Sequence, residues 1–188
     1  SLDTDAINGT VSIDGSIATY TPNSNYNGDD TFIFSVNDGI DSSSASVDII
    51  ITAINDEPVI DYIDNVILEE EGSSLVTLSA SDIDGDQLVY GITGGNNIIS
   101  SINDNVLTLT APPNFNGSEV FTVSVSDGIL LDEQLLVVMV SEVNDAPIAT
   151  IGLTGTMSED QSVVIVLSGT DIDGDYLIFD IDIEPELS

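Results

Sequence analysis

The chain has 188 residues and carries 34 Asp and Glu with no Lys, Arg or His, a formal charge of −34, and it has no Cys. That composition removes Schiff-base lysines, phosphate-clamping cations, histidine and cysteine catalysis, thiolate metal sites and disulfides. It also removes the cationic surface that nucleic acid and anionic membranes require, so neither is an expected partner.

Acidic chains are often disordered, but this one is 41% hydrophobic and has positive mean hydropathy, enough to bury a core. Two like charges 4 Å apart repel by about 1 kcal/mol in water and by more near a protein surface. With no internal cation to offset this, the neutralising charge must come from solvent, and a divalent metal is the first expectation. No apolar run approaches the ~20 residues of a membrane span, so membrane insertion is not expected. No charged-then-apolar leader is present in the sequence, as in a mature extracellular segment.

In chain order, Asp14-Gly15 and Asn27-Gly28 are turn signals. Thr31–Val36 then places Phe32, Phe34 and Val36 in one phase of a strand. Leu75–Ala80 and Val106–Thr110 are runs suited to a pleated surface. Asn116-Gly117 is a third turn. Val120–Val125 puts Phe121, Val123 and Val125 on one face and Thr122 and Ser124 on the other, the alternation of a half-buried strand. Leu135–Val140 follows, and convincing helical periodicity is absent.

The chain repeats with a period of 89 residues. Asn27-Gly28 recurs at Asn116-Gly117, Asp38-Gly39-Ile40 at Asp127-Gly128-Ile129, and Asn55-Asp56-Glu57-Pro58 at Asn144-Asp145-Ala146-Pro147. The run Asp82-Ile83-Asp84-Gly85-Asp86 recurs at Asp171-Ile172-Asp173-Gly174-Asp175. Seven or so strands per period predict an all-β chain of tandem β-sandwich repeats. With Asn-Asp-x-Pro as linker, residues 1–56 are the later part of a first repeat, lacking its opening strands. Residues 57–145 form a complete repeat, and 146–188 the opening part of a third. Two expectations follow for the partial ends: either they belong to a longer covalent array, or the end of one chain completes the start of the next by strand complementation, head to tail.

Thr31 to Gly39 followed by Ser46 to Pro58 resembles the closing strands and linker of a cadherin repeat, and more closely the cadherin-like tandem repeats of bacterial surface proteins and adhesins. Leu68-Glu69-Glu70-Glu71-Gly72-Ser73 with Ala80-Ser81-Asp82-Ile83-Asp84-Gly85 resembles the opening strands. The resemblance covers the whole chain in the 89-residue register and implies cadherin-like, immunoglobulin-like sandwiches with Ca²⁺ bound between consecutive repeats. Ca²⁺ takes six to eight hard oxygens, chiefly carboxylates and carbonyls. By that resemblance the first junction would use Asp30, Asn55, Asp56, Asp82 and Asp84, with Asp127 close by. The second would use Glu70, Glu119, Asn144, Asp145, Asp171 and Asp173. Glu159, equivalent to Glu70, would serve a third. The linker is shorter in acids than the animal form, Asp30 and Glu119 lack the usual neighbouring Arg, and the first junction lacks a strand-A Glu within the chain.

Competing readings are weaker. An EF-hand loop at Asp82–Asp86 would need Gly at its sixth position and Glu at its twelfth, whereas Gly85 is fourth and Thr93 twelfth; a solvated acidic turn is the other alternative. Asn8-Gly9-Thr10 and Asn116-Gly117-Ser118 are glycan acceptor sequons, but the second repeats a turn that lacks one. Paired acids could suggest glycoside hydrolysis, yet they recur with the repeat, so no enzyme is expected. A carbohydrate- or receptor-binding module would want exposed aromatics; Phe32, Tyr90, Phe115, Phe121 and Phe179 are assigned to the core instead. The expected function is a calcium-stiffened extracellular or cell-surface fibre, filament or adhesin stalk, with copies of itself as partners and a cell-surface or carbohydrate receptor as a further one. A chain without Lys or Arg would also resist trypsin-like proteases.

Overall fold

The computed structural model describes residues 1–180, and it is all-β among them. The strands are β1 (Leu2–Thr4), β2 (Gly9–Asp14), β3 (Ile17–Pro22), β4 (Gly28–Asn37), β5 (Ser42–Ile51), β6 (Val59–Ile60), β7 (Val66–Glu69) and β8 (Ser73–Thr77). They continue as β9 (Ala80–Ser81), β10 (Val89–Gly94), β11 (Ile99–Asn103), β12 (Val106–Thr110), β13 (Gly117–Ser126), β14 (Leu131–Ser141), β15 (Ile148–Ala149) and β16 (Gly169–Thr170).

By compactness the chain divides into two units. One comprises Ser1–Val59, Ser81–Leu88 and Ser126–Leu131; the other comprises Ile60–Ala80, Val89–Val125 and the chain from Asp132. The first unit holds a three-stranded sheet in the order β1-β4-β5 and the hairpin β2-β3. Within it, β4 pairs with β5 antiparallel over their whole length, from Gly28↔Ile51 to Asn37↔Ser42.

The second unit holds a complete sandwich. One sheet runs β10-β13-β14-β7, the other β11-β12-β8. β7 joins β14 in parallel, Val138 opposite Val66 and Val140 opposite Leu68. β8 joins β12 antiparallel, Leu107 opposite Val76 and Leu109 opposite Ser74. Alternation along these strands is strict. Leu107 and Leu109 from β12, Phe121, Val123 and Val125 from β13, and Leu136 and Val138 from β14 are wholly buried. Each such side chain contributes about 1.5–3 kcal/mol by leaving water, and this cluster is what orders the second repeat.

The 89-residue period governs the architecture. β1, β2, β3, β4 and β5 correspond to β10, β11, β12, β13 and β14, and β6 and β9 to β15 and β16. The tight turns repeat too: Gly15 (φ 60) closes the β2-β3 hairpin, and Asp104 (φ 54) closes β11-β12.

Two details differ from expectation. Leu75–Ala80 is not one strand: β8 ends at Thr77, and Leu78 turns inward, buried, its N–H donating to the Asn105 carbonyl (2.8 Å) while Asn105 Nδ2 donates to the Leu78 carbonyl (3.0 Å). This reciprocal pairing, one bond to the Asn105 backbone carbonyl and one from its side-chain amide, takes the chain out of the sheet before β9. The aromatics are also not uniformly core. Phe32 and Phe121 are buried, Tyr90 and Phe115 half-buried, and Phe179 exposed, with no sheet over its position among the described residues.

Candidate metal centre at the acidic linkers

The two copies of the linker motif fold alike. In the first unit the Asp56 N–H donates to Asp84 Oδ2 (2.7 Å), and Asn55 Nδ2 donates to the Asp56 carbonyl (3.0 Å). In the second unit the Asp145 N–H donates to Asp173 Oδ2 (2.6 Å), and Asn144 Nδ2 donates to the Asp145 carbonyl (2.9 Å). The Asp-x-Asp loops match as well. Asp82 Oδ1 accepts the N–H groups of Asp84 (2.9 Å), Gly85 (3.0 Å) and Asp86 (3.3 Å). Asp171 Oδ1 accepts those of Asp173 (3.0 Å) and Asp175 (3.1 Å). One oxygen of each leading aspartate is thus spent on folding its own loop, an Asx-type turn, while the following carboxylate tethers the linker.

Two groups of carboxylates result. In the second unit Glu70, Asp145 and Asp173 each offer an oxygen within 4.8 Å of the others. In the first unit Asp82, Asp84 and Asp86 do the same. Oxygens bound to one Ca²⁺ at 2.3–2.6 Å can stand at most about 5.2 Å apart, so both groups have the spacing that one ion requires. Hard oxygen donors with no nitrogen or sulfur suit Mg²⁺, Ca²⁺ or Mn²⁺ rather than a softer metal such as copper or zinc. A further observation bears on the fit: Asp82 Oδ2 is buried without a hydrogen-bond partner among the described residues. A buried carboxylate oxygen in that state is costly unless a cation satisfies it. Glu70 is itself buried and accepts the Val143 N–H at 2.6 Å, which fixes its carboxylate beside the linker.

Asp127 lies in the first unit's turn, Oδ1 accepting the N–H groups of Ile129 (2.6 Å) and Leu130 (2.7 Å), Oδ2 accepting Asn55 Nδ2 at 2.7 Å. The Asn55 hydrogen bond and these backbone donors hold its carboxyl below the usual range, against a smaller opposing effect of burial. Asp38 makes the same turn, bonding the N–H groups of Ile40 and Asp41 (2.9 Å each).

Asp30 and Glu119 stand apart from both groups. Both Glu119 oxygens accept hydrogen bonds, from the N–H groups of Asn96 (3.0 Å), Asn97 (2.9 Å) and Ile98 (3.1 Å) and from Asn97 Nδ2 (2.8 Å). Asp30 accepts from Ile7 (3.2 Å), Asn8 (2.9 Å), its own successor Thr31 (2.9 Å) and the Tyr20 hydroxyl (2.9 Å). Ile7 and Asn8 are 89 residues before Asn96 and Asn97, so one loop anchor is built twice. For both carboxyls burial pushes the pKa up, and the assembled donors outweigh it and bring it down. Burial and the hydrogen bond to Asp30 push the Tyr20 phenol up to about 12.

Sequence reasoning missed Asp86, the third member of the first group. The signal is in plain view, since Asp82, Asp84 and Asp86 alternate, but the cadherin resemblance marks only Asp82 and Asp84 of that run.

Among the described residues no helix is long and apolar enough to cross a membrane. A search of curated proteins finds no match. Several solved structures are similar. The chain resembles an endo-fucoidan hydrolase of glycoside hydrolase family 107 at 20% identity and a TM-score of 0.38, over 79% of this chain and 23% of that one. It resembles human protocadherin-24 EC1-2 at 24% identity and 0.45, over 61% of each chain. It resembles domains 4–9 of surface layer protein SbsC at 13% identity and 0.40, over 92% of this chain and 28% of that one. The chain therefore spans about a quarter of the length of the hydrolase and of the surface-layer structure. A family profile described as a bacterial Ig domain matches residues 1–50 and 55–138. With most of its length matched in two consecutive segments, the chain belongs to the bacterial Ig domain family.

Proposed function

We propose that the chain is a calcium-stiffened piece of an extracellular array of Ig-like repeats, serving as a fibre or as the stalk of an adhesin. The observation that carries this reading is the duplicated linker. The same backbone-to-carboxylate hydrogen bonds recur 89 residues apart, and three carboxylates at one-ion spacing stand at each copy, Glu70, Asp145 and Asp173 at one and Asp82, Asp84 and Asp86 of a single loop at the other.

Glu70, Asp145 and Asp173 would hold one ion, and Asp82, Asp84 and Asp86 another, with Asn55, Asn144, Asp127 and Asp171 fixing the surrounding backbone. Bound Ca²⁺ supplies the positive charge the chain lacks. Without it, facing carboxylates repel and oppose closure of the linker. With it, Glu70 at a sandwich edge, Asp145 in the linker and Asp173 in the following Asp-x-Asp loop share one ion, while the ion on Asp82, Asp84 and Asp86 braces the loop whose Asp84 holds the Asp56 N–H. This coupling performs no chemical step, and the proposed role is mechanical. Extracellular modules of this kind bind Ca²⁺ with dissociation constants near 10⁻⁴–10⁻³ M, which suits a setting outside the cell. The absence of Lys and Arg fits such a setting, since trypsin-like proteases find no cleavage site.

Titration calorimetry with the metal alone is the test. Saturable binding of Ca²⁺ in the submillimolar to millimolar range, weakened by Asp145→Asn, is the expected result. No heat and no binding up to about 10 mM, well above the affinity of such modules, would remove the reading.

A further inference from the structure

The complete sandwich carries a cleft that belongs to neither acidic linker. Its volume is about 390 Å³, within the range of small-ligand sites, and it is walled by the β10–β11 loop and by the turn that leads into β13. Buried Glu119 lines it. An ionised carboxylate has about four acceptor sites, and those of Glu119 take the N–H groups of Asn96, Asn97 and Ile98 together with Asn97 Nδ2. Its charge is therefore satisfied from within, and it fixes the loop that carries Asn96 and Asn97. Gly95 tightens that hold. At its φ of +68 a Cβ would stand 2.4 Å from the Phe121 ring and 3.1 Å from Glu119 Oε2.

What the cleft presents to solvent is uncharged. Asn96, Asn116 and Ser118 are exposed, and none of their side chains is hydrogen-bonded among the described residues. Phe115 is half-buried. The nearest atom to a Cβ on Gly117 would be Phe115 Cζ at 3.9 Å, so the missing side chain leaves that edge of the ring open. The first repeat keeps the anchor and changes the lining. One period earlier Ile7 stands for Asn96 and Asp29 for Ser118, and Tyr26, in the place of Phe115, donates its hydroxyl to the Asp29 carbonyl (2.6 Å). Asp30 still gathers the loop N–H groups there. The anchor thus forms without Asn96 or Ser118, and the fold alone does not account for them.

We propose that this cleft binds an uncharged oligosaccharide. Two carboxamides and a hydroxyl place donors and acceptors together, which suits neighbouring sugar hydroxyls that both give and accept. The open edge of Phe115 offers apolar contact to the C–H face of a pyranose ring. Charge excludes the neighbouring ligand classes. A chain of formal charge −34 repels an acidic saccharide, and a cation is drawn to carboxylates with free oxygens, which this cleft does not hold. Exposed amides exchange one hydrogen-bond partner for another when a ligand arrives, so each bond adds little net affinity, and the dissociation constant is on the order of 1 mM. This binding goes beyond the mechanical role and does not rest on calcium.

Backbone-amide NMR of the full chain, in chelator and again in millimolar Ca²⁺, tests the proposal. The probes are cellohexaose, mannohexaose and xylohexaose, with hexagalacturonate as the charged saccharide and an uncharged Gly-Ser peptide as the amide control. The expected result is a saturable shift of the Gly95, Asn96, Gly117 and Ser118 signals with at least one uncharged hexasaccharide in both conditions. Ile7 and Asp29 should not respond, and neither control should reproduce the shifts. Asn96→Ile installs the first repeat's residue and keeps the N–H that Glu119 accepts; it should weaken binding roughly tenfold with Tm unchanged. Asn116→Ala, outside the anchored loop, should weaken it by a similar factor. No saturable shift with any of the hexasaccharides up to about 20 mM, well above the expected constant, overturns the proposal. So do equal shifts with hexagalacturonate or the peptide, or binding that neither substitution weakens. Saccharide binding in chelator alongside absent Ca²⁺ binding would leave this cleft standing and remove the calcium reading alone.

Discussion

Replacing Asp173 by asparagine tests the electrostatic account at one atom's cost, because the amide oxygen can still accept the Asp145 N–H that Asp173 Oδ2 takes at 2.6 Å. Glu70, Asp145 and Asp173 present oxygens no more than 4.8 Å apart. Each pair then repels by at least about 0.9 kcal/mol at the dielectric of water, and physiological salt reduces this by roughly half. Neutralising Asp173 removes two of the three pairs. The metal-free variant is therefore expected to be more stable than the parent by about 1 kcal/mol at physiological salt, a rise in Tm of roughly 2–4 °C for a chain of this size. Calcium should reverse the order. The parent gains about 2.7 kcal/mol when Ca²⁺ is a hundredfold above its Kd, and the variant, short of one carboxylate, gains less. Thermal melting followed by circular dichroism in chelator and in saturating Ca²⁺ measures both. A variant less stable than the parent in chelator would refute the repulsion, because Asp173 would not be strained by its neighbours, and a variant that gains as much from Ca²⁺ as the parent would refute the role of metal in relieving it.

Three further predictions concern the scaffold. Glu119→Gln tests the loop anchor. The donors around Glu119 hold its folded pKa below the ordinary value, so the stability it provides is complete above about pH 4.3 and is lost as pH falls through the lower folded value; acid unfolding in chelator should show a shallower loss for the variant, and an unchanged acid limb would count against the anchor. Gly95→Ala should destabilise by roughly 2–4 kcal/mol in chemical denaturation, because a Cβ there would stand 2.4 Å from the Phe121 ring at a φ of +68, whereas Gly128→Ala, at φ +97 with open space around it, should lose only about 1–2 kcal/mol of backbone strain. Phe121→Ala, emptying a wholly buried site, should cost about 3–5 kcal/mol; a loss under 1 kcal/mol would mean that the two sheets do not share that core.

The repeat was legible because it is written in short polar motifs whose physics is local. Asp38-Gly39 and Asp127-Gly128 make the same Asx turn wherever the chain places them, and strict alternation in Val120–Val125 needs only a pleated strand with one wet face. What depended on distant partners was less visible. The break after Thr77 follows from Asn105 bonding Leu78 across the hairpin, which no periodicity in Leu75–Ala80 announces. Asp30 and Glu119 sat at positions that the cadherin resemblance marks for metal, but the donors surrounding them come from loops some twenty residues earlier in the chain. Phe179 shares its phase with Tyr90, yet burial requires a covering sheet as well as an apolar side chain.

The central claim is that calcium converts these acidic linkers from repelling joints into rigid ones. Small-angle scattering of the full chain, titrated from chelator into millimolar Ca²⁺ at a dilution that suppresses association between copies, tests it most directly. The account predicts a saturable shift to a narrower distribution of interatomic distances, completed over the same calcium range as the rise in Tm and reduced by Asp173→Asn. Superimposable curves in chelator and in calcium would contradict it.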